Sequence, residues 1–360
     1  MSDQKQTDFS IKFVNVALSL IVVFLIVWVL YIGRSIILPF LIALFLGFIL
    51  DPILQFFTRH KVPMFLAVII TLILSFILLY LLGLLVYANV QMFVDQFPRY
   101  QERMIQSIDN FLMKFNHILE QSKYQVYLDR STWKQIDWIS AIKNLNIAEG
   151  LLNSVGSFLS FLFKTVIVII FLAYFLMGKR NIDTKIRLAF DHAQAERVIS
   201  ILNSVTTQIQ RYLGAKTIVS FLTGGISILI FLLFGLDFAI FWGFLIFLFN
   251  FIPNIGSTIA SLLPVLFSLI QFGSLGKAFW MLVALTALQT TMGNIIEPRL
   301  MGRTLNLSPL MVIIFLIFWG YIWGVAGMIL AVPILATMTI IFENVPGLRF
   351  LSVFLRGKPK

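Results

Sequence analysis

PLMVIIFLIFWGYIWGVAGMILAVPILATMTIIF, residues 309–342, runs for 34 positions without a charged side chain. A straight helix crosses a hydrocarbon core of about 30 Å with roughly 20 residues. This run is too long for one such crossing, and Gly320, Gly324, Gly327 and Pro333 interrupt it. It is therefore expected to be a helical hairpin or a steeply broken helix. Gly320, Gly324 and Gly327, with Ala331, also form a small-residue stripe suited to close helix packing.

Working outward, the same apolar character recurs at 13–32, 36–57, 63–90, 155–178, 217–234, 238–271 and 278–296. The run at 238–271 is again over-long and is cut by Asn250-Phe251-Ile252-Pro253-Asn254-Ile255-Gly256-Ser257. In all, 59% of the 360 residues are hydrophobic and 12% are charged, against about half and about a quarter in a soluble domain. This composition excludes a disordered chain, a collagen, a disulfide scaffold and almost every soluble enzyme. The expected fold is all-α: a polytopic integral membrane protein with about eight transmembrane runs, two of them broken or hairpin helices in the C-terminal half. The first run is read as a retained span, because it is longer than a signal-peptide core and lacks a small-residue cleavage site.

The polar segments divide the chain. Residues 1–90 hold the first three spans, 91–150 a helical insertion, 151–178 the fourth span and 179–216 a basic amphipathic stretch. Residues 217–344 form a C-terminal transmembrane core, and 345–360 a basic tail. Within the insertion, apolar residues from Met104 to Leu119 recur every three or four positions, as on an amphipathic helix. The net charge of +11 lies wholly outside 91–150, where seven Lys/Arg balance seven Asp/Glu. The excess sits at the ends of apolar runs, which marks orientation in a membrane and not nucleic-acid binding. It places both termini and 179–216 on the cytoplasmic side of the inner membrane and the 91–150 insertion outside.

No phosphate-binding Gly-rich Lys loop is present, there is no cysteine, and His60, His117 and His192 all fall outside the apolar runs. No metal, cofactor or catalytic residue is expected, and the chain is read as a non-enzyme. Polar residues inside the runs are the site candidates. Lys216, Ser220, Thr223 and Ser227 fall on one helical face, as do Thr286, Thr290, Gly293 and Glu297, with Gln289 beside them. Asn250, Pro253, Asn254 and Gly256 form the break. Freed backbone groups there must meet protein or line a cavity, or the break is an ordinary turn between spans. The bland alternatives are Ser and Thr bonded back to their own helices, and Glu297 as a helix-end carboxylate paired with Arg299 or Arg303. Pro298 is expected to end the helix that carries Glu297.

Phe251-Ile252-Pro253-Asn254-Ile255-Gly256, Glu297-Pro298-Arg299-Leu300-Met301-Gly302, Leu307-Ser308-Pro309 and Trp323-Gly324 through Gly327 to Ala331-Val332-Pro333 resemble the blocks of the autoinducer-2 exporter family of membrane transporters. So does the order of pieces over nearly the whole chain. The resemblance implies a secondary transporter of a small polar solute or signalling molecule, and a homo-oligomer, with a pentamer as one form. Some members are described as Na⁺(Li⁺)/H⁺ antiporters, which is the alternative. That alternative needs a titrating membrane carboxylate, and Asp51, Asp237, Glu297 and Glu343 are the candidates. A reading of another class is a membrane scaffold whose insertion binds envelope partners.

Overall fold

The computed structural model describes residues 14, 17–18, 21–120, 154–253, 255–301 and 306–357. All the regular elements among them are helical. The order is α1 (Ile21–Ile32), α2 (Arg34–Arg59), α3 (Met64–Glu120), α4 (Ser154–Gly178), α5 (Ile182–Ala189) and α6 (His192–Phe234). There follow α7 (Ala239–Phe249), α8 (Ile255–Phe272), α9 (Leu275–Thr291), α10 (Glu297–Met301), α11 (Pro309–Asn344) and α12 (Arg349–Leu355). Seven of the described helical stretches are long and apolar enough to cross a membrane, and α1 and α7 are shorter apolar helices. The surface agrees: Leu233 is 87% exposed and Phe221 71%, a burden that lipid accepts and water does not. The chain is an all-α polytopic membrane protein.

Two helices are longer than the apolar runs inside them. α3 has 57 residues, about 86 Å, of which only Met64–Phe93 is apolar enough to span. The insertion therefore does not begin with a turn, because its first helix is the continuation of the third span. α6 likewise joins the basic stretch and the fifth run in one helix of 43 residues. Residues 121–150 of the insertion lie outside the described residues.

The chain divides into two compact units. The first comprises residues 1–48, 170–205 and 307–360. In it the 309–342 run is a hairpin. Gly324 turns the chain at φ 65°, ψ −147°, a conformation open essentially to glycine alone. Gly320 then lies against the Met328 side chain, and a Cβ on Gly327 would be 2.0 Å from the Trp319 carbonyl oxygen. The glycine stripe thus packs the two arms of one hairpin. The tip is held to α1 by Trp323, whose indole N–H donates to the Leu30 carbonyl at 3.1 Å. α2 meets α4 through edge-on ring pairs, Phe40 with Phe171 and Phe48 with Phe175, and Gly47 makes room for the Phe175 ring.

The second unit comprises residues 49–169 and 206–306. Here the 238–271 run is a second hairpin, α7 and α8. With 11 residues α7 reaches only about 17 Å, too short to cross the bilayer by itself, whereas α8 is long and apolar enough to do so. The hairpin packs on α6 where Gly224 and Gly243 bring the two backbones together, a Cβ on Gly224 lying 2.8 Å from the Gly243 carbonyl oxygen. Its apolar faces form a core with Phe231, Ala278, Met281, Leu285 and Tyr100.

Candidate functional site

The hairpin tip is the start of the polar cluster. Asn250 caps α7 and is buried, and its side-chain amide donates to the Ser220 hydroxyl on α6 at 3.1 Å. Gly256 is required at the tip, because a Cβ there would be 2.0 Å from the Phe249 carbonyl oxygen. Local bonds satisfy several tip amides: Phe251 N–H donates to Leu248, Ile252 to Phe249, Ile255 to Pro253 and Gly256 to Ile252. These amides are closed within the turn, and the Asn250 side chain is a polar group that the tip presents to α6. Pro253 is half-buried, and Asn254 lies outside the described residues.

One turn below Ser220 on α6, the Lys216 ammonium lies 2.6 Å from a carboxylate oxygen of Glu297, their side chains 5% and 22% exposed. Glu297 therefore pairs with another helix and not with Arg299 on its own. The cause is a wide turn. Residues Met292–Ile296 form a π-helix in which the Glu297 N–H donates to the Met292 carbonyl. Such a turn holds an extra residue, so Glu297 is displaced by roughly a quarter turn from where α periodicity puts it. That displacement carries it off the Thr286–Thr290 face and toward the side where Gln289 lies. The helix also does not stop at Pro298 but continues to Met301. In an α-helix the proline ring would collide with the Asn294 carbonyl, and the wide turn relieves that collision.

Gln289 is half-buried and donates to the Ser261 hydroxyl on α8 at 3.1 Å. Ser261 lies beside the gap that Pro264 leaves in the α8 hydrogen-bond ladder. Thr286 and Thr290, on the face of α9 next to Gln289, and Gly293 in the wide turn are exposed and do not join the cluster. Thr223 and Ser227 are buried, but their hydroxyls donate to the Val219 and Thr223 carbonyls of α6 itself. The structure thus brings together Lys216, Glu297, Ser220 and Asn250, with Gln289 and Ser261 as a second polar pair. It leaves Thr286 and Thr290 apart.

The sequence offered Asp51 and Asp237 as candidate carboxylates but not the partners that hold them. Asp51 is only 4% exposed, and its carboxylate accepts from the side-chain amides of Gln210 at 2.7 Å and Gln55 at 2.9 Å. Gln210 was the available signal, a long amide on the helix that carries Lys216. At the other end of the hairpin, the Tyr100 hydroxyl donates to Asp237 at 2.8 Å and Arg103 donates to the Gln271 carbonyl at 3.2 Å. Gln271 in turn accepts from the Asp237 N–H and donates to the Gly235 carbonyl, tying the two ends of the hairpin together. Burial, then the bond to Asp237 and its charge, hold the Tyr100 phenol well above its ordinary range, so it stays a donor.

Apolar helices, an apolar hairpin broken by Pro and Gly, and a buried charge pair beside its tip fit a polytopic membrane transporter. The chain belongs to the AI-2E family of transporters, whose family model matches residues 18–347. It is 34% identical over 340 residues to a Borreliella burgdorferi protein that bears a provisional name as a transport protein, covering 94% of this chain and 89% of that one. It is 29% identical over 327 residues to the AI-2 transport protein TqsA of Escherichia coli, covering 90% of each.

Proposed function

We propose that this protein moves a small polar solute across the cytoplasmic membrane along a path beside the α7–α8 tip. The observation that carries the reading is the buried Lys216–Glu297 pair below the Asn250–Ser220 hydrogen bond. An ion pair inside an apolar bundle costs several kcal/mol of desolvation per ion, and such groups in membranes mark solute paths. Ser261 and Gln289 supply further hydroxyl and amide contacts. The name of the Escherichia coli relative extends the proposal to a small signalling molecule of the AI-2 kind. Homo-oligomer formation, as a pentamer or otherwise, is part of the proposal. The exposed Thr286–Thr290–Gly293 stripe is of the small-residue kind that packs helices in lipid.

The second reading, a Na⁺(Li⁺)/H⁺ antiporter, is favoured by the burial of Asp51, a membrane carboxylate held by two amides. Flux in liposomes containing the purified protein, with and without imposed proton and sodium gradients, separates the two. Asn250→Ala should lower solute flux while the protein still inserts and assembles, whereas normal flux would remove the hairpin tip from the path. Asp51→Asn should leave solute flux in place under the first reading and abolish sodium-driven proton movement under the second.

A further inference from the structure

Two short helices of the first unit lie outside the spans and belong to no part of the polar cluster. α12 follows α11 after a single tight turn, Pro346–Leu348. Its last carbonyl, that of Leu355, accepts the N–H of Ser308 at 2.9 Å, and Leu307 bridges to Arg356. α12 thus starts beside the end of one arm of the α11 hairpin and finishes beside the start of the other. Its 7 residues cover about 10 Å, close to the spacing of two packed helices. Since the arms stand in the bilayer, α12 lies across their base, in the plane of the membrane surface. Ser352 and Leu355 face the protein, and Phe350, Val353 and Phe354 face outward at 62%, 61% and 66% exposure.

α5 has the same setting. It follows the end of α4 at Gly178 after a three-residue turn, and none of its residues is buried. Ile182, Ile186 and Ala189 share one face with Lys185 at its edge, and Leu188 is 83% exposed. Side-chain bonds put both helices at one level. Arg187 of α5 pairs with Glu196 in the first turns of α6, Arg197 donates to the Asn344 carbonyl at the end of α11, and Glu343 pairs with Arg356 after α12. The sequence around both is basic. Residues 179–190 hold Lys179, Arg180, Lys185 and Arg187 against Asp183, and 345–360 hold Arg349, Arg356, Lys358 and Lys360 with no acidic residue.

The geometry points to a two-part membrane-surface anchor, in which α5 and α12 sink their apolar faces into one leaflet and recognise its anionic phospholipids. In-plane helices with an apolar face and flanking Lys/Arg bind at the headgroup level, and each basic residue near the surface adds about fivefold to the preference for anionic lipid. A bilayer, and not a soluble partner, is the occupant, because both helices emerge directly from spans and the net charge around each is positive.

The chain has no cysteine, so single labels can be placed in the full-length protein. Nitroxides at Ile182→Cys, Phe354→Cys and, as the opposite face of α5, Thr184→Cys are read in nanodiscs of phosphatidylcholine alone or mixed with phosphatidylglycerol. Labels at 182 and 354 should be accessible to oxygen, shielded from a water-soluble nickel complex, and more deeply immersed with phosphatidylglycerol, while the label at 184 stays in water. Adding Lys185→Gln and Arg349→Gln should cost at least about fivefold of the phosphatidylglycerol preference. Nickel access at 182 and 354 in both lipids would overturn the anchor. So would immobilised, oxygen-shielded labels that broaden one another, which would mean that a second copy covers the face. Immersion that ignores phosphatidylglycerol would overturn the recognition of anionic lipid.

Discussion

Lys216 and Glu297 are 81 positions apart in sequence and in contact in the structure, and their unequal burial sets what each substitution does. Removing one member of a buried pair leaves the other as an uncompensated charge, at a cost of about 3 kcal/mol or more. The Lys216 side chain is the more deeply buried, so leaving it alone is the worse case. Glu297→Gln should therefore lower the stability of the detergent-solubilised protein more than Lys216→Met does. The double variant should recover part of the sum, as read by thermal unfolding. Equal and additive effects would mean that the two groups do not depend on each other. The helical stripe placed Lys216 and Ser220 on one face, and that was legible. That Asn250 and Glu297 come to the same face was not legible, because periodicity describes one helix and is silent about its neighbour.

At the scale of the element, glycine and proline decide geometry. Gly256 passes the Phe249 carbonyl so closely that Gly256→Ala must open the hairpin tip, whereas Gly225, on the same unit's α6, has nothing within 4 Å of a new Cβ. Gly256→Ala should lower the unfolding temperature and the flux together. Gly225→Ala should be neutral or stabilise by about 0.5–1 kcal/mol through helix propensity. Pro298 makes the opposite kind of test. Pro298→Ala removes the collision that the wide turn relieves, so the helix is free to close to α geometry and swing Glu297 away from Lys216. Flux should fall, as is also expected of Glu297→Gln, although every charge is kept. Wild-type flux would show that the π turn is held by something other than the proline. The Pro and Gly signals were visible in sequence as breaks at 250–256 and 320–333. The wide turn was not, because Pro298 is equally compatible with a helix end.

For the whole molecule, the distribution of Lys and Arg predicts an orientation. A cysteine replacing Ser122 should react with an impermeant maleimide on intact cells, and one replacing Gln194 should not. The reverse pattern would invert the proposed topology. The sequence alone determined that this is a multi-helix membrane protein, where its apolar runs lie and which of them are too long for one straight crossing. Those properties follow from composition, from run length against bilayer thickness, and from local backbone chemistry, all of which act within a few turns of chain. Only the tertiary structure decided that the 91–150 insertion starts as an extension of a span, that Asp51 is buried under Gln210 and that Glu297 meets Lys216. In lipid no hydrophobic drive selects between one apolar face and another. Close packing at Gly224–Gly243 and the pairing of a few polar side chains make that choice, and these become defined only once the helices are side by side.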